Sequence, residues 1–249
     1  MDTTFMLKTD ATLTATPAPH AWRVLVVGGH TRSIGKTQLV CDIIAAFPDA
    51  TWIAGKITQY GHGVCAQNGH DCDCAPDEHV CAIGWEERAD TGTDSSRFLA
   101  AGAQRAFWLR TKQGFLAEGL PILREALREV RDEASESAAS PKFAARRPKA
   151  LIIESNSLLQ FVKPSLYFAV LDPAKEDFKD SARVALDRAD ALVVRGGGMD
   201  AGGTPQWLKL PAKLLREKPS VEQREGQPLP EPLEVLVRRI LEASPGVVI

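Results

Sequence analysis

The sequence predicts an α/β protein: a three-layer α/β/α domain on a mostly parallel, doubly wound sheet. Three observations lead there. Short apolar, β-branched runs alternate with segments of helical periodicity along most of the chain. The first run ends in glycines and leads into Gly35-Lys36-Thr37 at the start of a helical pattern. A later run, "ALIIE", delivers an acid, Glu154, at its C-terminal end, where open α/β sheets place their ligands.

Taken in order, residues 23–27 form a buried strand by length and composition. Residues 36–47 carry Leu39, Ile43, Ile44 and Phe47 at helical spacing, and "TWIAGKI" (51–57) reads as a second strand. A polar, Gly/Cys/His-rich loop of about two dozen residues follows, too long for a plain connection. Helix is expected over 95–103, strand over 105–110, and a long amphipathic helix with Arg/Glu pairs over 116–133. The Ser/Ala/Pro-rich stretch 134–148 reads as a loop. Strands at 150–154 and 166–172, a helix in "DSARVALDRA", a strand at 191–195, a turn in "GGGMDAGG" and a helix at 232–243 complete the pattern. No internal repeat is present.

Composition narrows the function classes. A hydrophobic share of 44% and a charged share of 25% are ordinary for a globular domain. The net charge of −2 lacks the basic excess of a nucleic-acid surface, so no nucleic-acid partner is expected. No apolar run approaches the roughly 20 residues that span a bilayer, so no membrane partner is expected either. Residues 1–20 have neither a basic start nor an apolar centre; they read as a disordered lead-in, not a signal peptide. Residues 21–249 read as a single domain with a Cys/His-rich insertion at 60–82, in a cytoplasmic protein whose five cysteines are not structural disulfides.

A phosphate loop is usually written G-x-x-x-x-G-K-[ST]. Five back from Gly35 stands His30; Gly29 is six back, so the loop is one residue longer. The physical needs are still met. A buried strand delivers a glycine-flanked loop whose N–H groups face phosphate oxygens at a helix N-terminus. Gly29, His30, Thr31, Arg32, Ser33, Ile34, Gly35, Lys36, Thr37 and Gln38 are the expected nucleotide contacts. Lys36 would neutralise the β/γ-phosphates and Thr37 would bind Mg²⁺. Glu154 would hold Mg²⁺ through water or polarise the attacking water. Asp94 either caps a helix or faces the γ-phosphate and Mg²⁺. Lys36, Asp94 and Glu154 are therefore the catalytic candidates, and Thr37, Asp94 and Glu154 the Mg²⁺ set. Asn156 and Lys163 are polar candidates on either a substrate cleft or a surface loop. No guanine-reading N-K-x-D is present; "VVRGGGMD", with Arg195 and Asp200, is the nearest place, which leaves ATP or GTP open.

"GHTRSIGKT" resembles the loops of dethiobiotin synthetase and the cobyrinate amidotransferases, G-T-x-[TS]-x-V-G-K-T, apart from His30 and Arg32. Lys56 stands where those enzymes carry a lysine after their second strand, which implies a nucleotide contact; otherwise it is a solvated strand-end lysine. Asp90, Gly92, Asp94, Ser95, Arg97, Ala101, Gly102 and Ala103 resemble the D-x-x-G-K-D-S-x-R-x-x-x-A-G-A block of molybdopterin-guanine dinucleotide biosynthesis adaptor proteins of the MobB type. Their V-E-G strand end is similar to Ile153-Glu154-Ser155. Over residues 22–172 the resemblance implies a P-loop NTPase fold, a role in cofactor maturation, and an often dimeric protein. The longer loop, "KITQYGHG" in place of Lys-His-x-His-His, and the C-terminal third depart from that family.

Between Lys56 and Asp94 lie Cys65, Cys72, Cys74 and Cys81, with His62, His70 and His79 among them. Such a set suffices for a Zn²⁺ site or an iron–sulfur cluster, although no known finger spacing is met. Redox thiols, or a polar loop with no role, are the other readings. Cys41, on the first helix among apolar residues, reads as a core cysteine. Three functions stay open: a Mg²⁺-dependent NTPase, activating a small molecule or driving cofactor or metal-centre assembly; a nucleotide-gated adaptor or metallochaperone with little turnover, handing cargo to a small-molecule or protein partner; and a metal or redox sensor with a vestigial nucleotide site.

Overall fold

A computed structural model describes residues 21–61, 80–136, 149–195 and 217–249. Its strands are β1 (Arg23–Gly29), β2 (Thr51–Tyr60), β3 (Cys81–Trp85), β4 (Arg105–Lys112), β5 (Lys149–Glu154), β6 (Leu166–Leu171), β7 (Ala191–Val194) and β8 (Ser220–Glu222). Its helices are α1 (Lys36–Ala46), α2 (Asp94–Ala100), α3 (Leu116–Glu136), α4 (Asp180–Ala185) and α5 (Glu231–Glu242). The strands form one sheet in the order β3-β4-β2-β5-β1-β6-β7-β8, parallel throughout except for β3 against β4.

The three layers follow from side-chain alternation. In β1, Val24 and Val26 join the apolar cluster of one face, where α3 contributes Leu116, Leu120, Leu123 and Leu127. Leu25 and Val27 join the other, with Leu39, Ile43 and Ile44 of α1, Phe98 of α2 and Leu233 and Val237 of α5. β1 is thus apolar on both faces because both are covered. That is the expected α/β/α architecture.

Sequence and structure differ at the edges. β3 and β8 were not expected, and residues 81–85 do not belong to a loop: they close the sheet as an antiparallel edge strand. The helix expected to begin at 95 or 96 begins at Asp94, capped by Thr93, whose hydroxyl accepts from Ser96 N at 3.1 Å. Asp94 is therefore not the cap; its carboxylate is free for other work. α2 stops at Ala100, and the chain turns through Gly102 at φ 110°. The long helix runs past 133 to Glu136. The expected lead-in 1–20, the turn in "GGGMDAGG" and most of the 134–148 loop lie outside the described residues. Among the described residues no helix is long and apolar enough to cross a membrane.

Candidate functional site

All parallel strands point their C-terminal ends one way, and the candidate residues collect there because β1 lies between β5 and β6. The chain leaves β1 at Gly29, passes through residues 30–35, and enters α1 at Lys36. The loop absorbs its extra residue with two left-handed positions, Ser33 at φ 50° and Gly35 at φ 82°. Gly35 is required twice over. Its φ suits glycine, and a Cβ there would lie 2.9 Å from Arg195 Nε.

α1 begins without a side-chain cap and with no acid in its first turn. Its first N–H groups thus face the cavity with the helix dipole behind them, an arrangement that favours an anion. The cavity, about 1260 Å³, is lined by every residue from Thr31 to Gln38 and by Lys56, Asp94, Glu154 and Asn156.

Around the phosphate loop, several of the polar and charged groups inside it are bonded to one another. Thr37 Oγ1 donates to Glu154 Oε2 at 2.7 Å. Lys56, the register partner of Glu154 on β2, bonds Asp94 and has its Nζ 3.8 Å from Glu154 Oε1. Burial acts to lower the Lys56 pKa, but the attraction of Glu154 and Asp94 outweighs it and leaves Lys56 raised. Arg97 approaches Asp94 at 4.0 Å and donates to Gln38 Oε1 at 2.6 Å. Lys36 turns back onto the carbonyl of Thr31. Burial is its dominant influence and lowers its pKa to about 8, against the opposing pull of Glu154.

The loop is held from outside by groups with no sequence signature. Asn156 clamps Gly29 at both backbone groups: Gly29 N donates to Asn156 Oδ1 at 2.8 Å, and Asn156 Nδ2 donates to Gly29 O at 2.7 Å. Thr31 donates to Asp177, and Lys175 donates to Ser33 O at 2.6 Å. The His30 side chain is fully buried and does not line the cavity. Asp172 N donates to His30 Nε2 at 3.1 Å, so the ring proton sits on Nδ1, 2.7 Å from the Asp177 carbonyl. Burial lowers the His30 pKa, consistent with this neutral form. His30 is thus a structural post between β1 and the connection after β6.

No protein-family model matches the chain, and no curated protein matches it. Among solved structures, HypB from Helicobacter pylori in complex with nickel is similar over 90% of this chain and 87% of that chain, at 15% identity and a TM-score of 0.45. That likeness is too loose to bear on what this chain binds.

The structure brings Lys36, Thr37, Lys56, Asp94 and Glu154 together as the sequence suggested. Of the two polar candidates after Glu154, Asn156 lines the cavity, whereas Lys163 is exposed outside it. Cys65, Cys72, Cys74, His62, His70 and His79 lie outside the described residues. Cys81 opens β3 as a free thiol and donates to Phe115 O at 3.4 Å. Cys41 is buried on α1; burial raises its thiol to about 11, which suits a core cysteine. Among the described residues no cluster of three metal-ligating side chains occurs. Sequence reasoning missed Asp172, Lys175, Asp177 and Gln223. A charged, Pro-containing connection at the C-terminal end of a strand was the available signal for the first three.

Proposed function

We propose that this chain binds a nucleoside triphosphate with Mg²⁺ on the 29–38 loop and acts as a P-loop NTPase. One observation carries the reading: the Thr37 hydroxyl and the Glu154 carboxylate meet at 2.7 Å beside Lys36, at an uncapped helix N-terminus. A hydroxyl and a carboxylate are hard oxygen donors suited to Mg²⁺, which otherwise keeps its waters and phosphate oxygens. When bound, the ion supplies charge neutralisation on the phosphates. Lys36 would then leave Thr31 for the β/γ-phosphates, and Glu154, holding Mg²⁺ through water, would orient the attacking water and accept its proton. The water oxygen bonds to the γ-phosphorus as the bridging oxygen departs with the diphosphate. Asp94 exchanges Lys56 for the γ-phosphate side of the site.

The base of the Cys/His segment supports a role for this turnover in cofactor or metal-centre assembly. Tyr60 O accepts from Gln113 N at 2.8 Å and Val80 O from Lys112 N at 2.7 Å, so both flanks of residues 62–79 are pinned at the end of β4. Gln59 and Gln113 line the nucleotide cavity. A Zn²⁺ or iron–sulfur site built from Cys65, Cys72, Cys74 and Cys81 would thereby be tied to the nucleotide site, as cofactor or metal-centre assembly requires.

Calorimetric titration of Mg²⁺ and nucleotide tests the site. Lys36→Ala should abolish binding, and Thr37→Ala or Glu154→Gln should remove its Mg²⁺ dependence. Binding by Lys36→Ala at wild-type affinity would overturn the reading. Native mass spectrometry of protein purified without oxygen should report bound metal that Cys72→Ser/Cys74→Ser loses while nucleotide binding persists. Turnover far below about 1 s⁻¹ would favour the adaptor over the enzyme.

A further inference from the structure

Beyond the phosphate loop, the same cavity runs along the ends of β7 and β8, where Arg195, Gln223, Arg224 and Glu225 line it. Arg195 follows β7 directly and is only 9% exposed. A guanidinium has five N–H donors and no acceptor. Here Nη2 donates to Gly35 O at 2.9 Å and Nη1 to Gln223 O at 3.3 Å. Nε is buried with no partner among the described residues. No carboxylate is hydrogen-bonded to Arg195 among the described residues. Asp42 and Glu225 act on it only through their fields, and Asp42 is already held by Gln38 and Gln223. A buried cation with spare donors and no ion-pair partner among the described residues, bonded to the residue just before Lys36, is poised for a ligand continuous with the phosphates.

We infer that Arg195 and Glu225 form the nucleobase subsite of this cavity and select guanine over adenine. Guanine presents two acceptors, O6 and N7, which a guanidinium fork matches; adenine replaces O6 by an amino donor. On its other edge guanine offers N1–H and the 2-amino group to a carboxylate. Adenine has a bare N1 acceptor there, which repels one. Glu225 is exposed on the same wall and has no hydrogen bond among the described residues, so it is available for that edge. The carboxamide that would suit adenine, Gln223, is committed: its Nε2 reaches Gln227 O at 3.1 Å and Asp42 Oδ2 at 3.4 Å. Arg224 is drawn aside by Glu222 at 2.9 Å. Donors left unpaired against the wrong base discriminate more strongly than lost packing does.

This inference rests on the nucleotide reading above, and its test separates the two. Mg²⁺-GDP and Mg²⁺-ADP are titrated into the full chain by calorimetry. The wild type should bind GDP at least about tenfold more tightly, the discrimination of one bidentate contact. Glu225→Gln should weaken GDP about tenfold and leave ADP unchanged. The same variant should gain affinity for xanthosine diphosphate, because xanthine carries an oxygen where guanine carries the 2-amino group and the carboxamide donates to it. Arg195→Lys keeps the charge but loses the fork, and should narrow the GDP preference. Glu225 is exposed, so its variant tests the idea even where Arg195→Lys fails to fold. Equal affinity for GDP and ADP, or an unmoved GDP-to-xanthosine-diphosphate ratio in Glu225→Gln, would overturn the base assignment alone. Failure of both GDP and ADP to bind would overturn the nucleotide reading, and this one with it.

Discussion

Lys36 is a half-buried cation that the nucleotide-free fold tolerates rather than needs. Burial holds its pKa at about 8, below the ordinary 10.5. Between those values the unfolded chain binds a proton that the folded chain does not, so folding stability rises with pH across that window and the deficit is fully present below about 8. Lys36→Met should therefore stabilise the nucleotide-free protein at pH 7, by about 1–2 kcal/mol once solvent screening at the cavity is discounted. It should also flatten the rise between pH 8 and 10. Urea unfolding across that range checks both; an unchanged profile would mean that Lys36 bears no such burden. Phosphates recognise the protonated form, so nucleotide affinity should fall by up to tenfold per pH unit above about 8. At this scale the sequence was legible wherever one contiguous stretch does the chemistry, as in Gly35-Lys36-Thr37 or the strand ending in Glu154. Asn156, Asp177 and Arg195 reach the loop only because the topology sets β5 and β6 beside β1, with β7 next along the sheet. No spacing encodes that.

Elements with strong periodicity or continuous apolar content were readable: β1, β2, β5, β6 and β7 are buried on both faces, and α3 has a clear apolar stripe. The two unexpected strands are both at sheet edges. β3 is half-exposed along its length and β8 is three residues long, so neither carries the buried run that marks a central strand. Their pairing comes from the neighbour: β4 offers its free edge to β3, and β7 offers its own to β8. Inside the sheet, Gly55 has an equally specific reason. A Cβ there would fall 2.1 Å from Cζ of the fully buried Phe107, its register partner on β4. The ring occupies the space the missing side chain leaves, one residue before Lys56. Gly55→Ala should destabilise the protein by about 1–3 kcal/mol through overpacking. Combined with Phe107→Leu, which shortens the intruding side chain, it should cost less than the sum of the two single changes. Denaturant midpoints of the three variants decide it, and strict additivity would mean that the two positions do not share that space.

Across the whole molecule, the C-terminal ends of the strands hold the paired charges and the cavity, whereas the opposite end of the sheet is closed by apolar packing. Trp22, just before β1, forms a backbone bridge with Val247, and Arg23 Nε donates to Ala243 O at 2.6 Å. Ile249 is 3% exposed within the cluster that also holds Trp22, Leu123 and Leu127, and its carbonyl accepts from Arg124. This closure seals the sheet face under α3 at a site one full strand length from the phosphate loop, with no residue in common with the nucleotide cavity. Stability and binding should therefore separate here. Ile249→Ala removes a buried branched side chain from this cluster and should cost about 2–5 kcal/mol. The thermal midpoint should fall by several degrees. Nucleotide affinity, measured below the transition, should remain within experimental error of the wild type, because distant positions with no shared partner act independently. A matched loss of affinity would mean that the two ends of the sheet are coupled, and that α3 transmits the packing of Ile249.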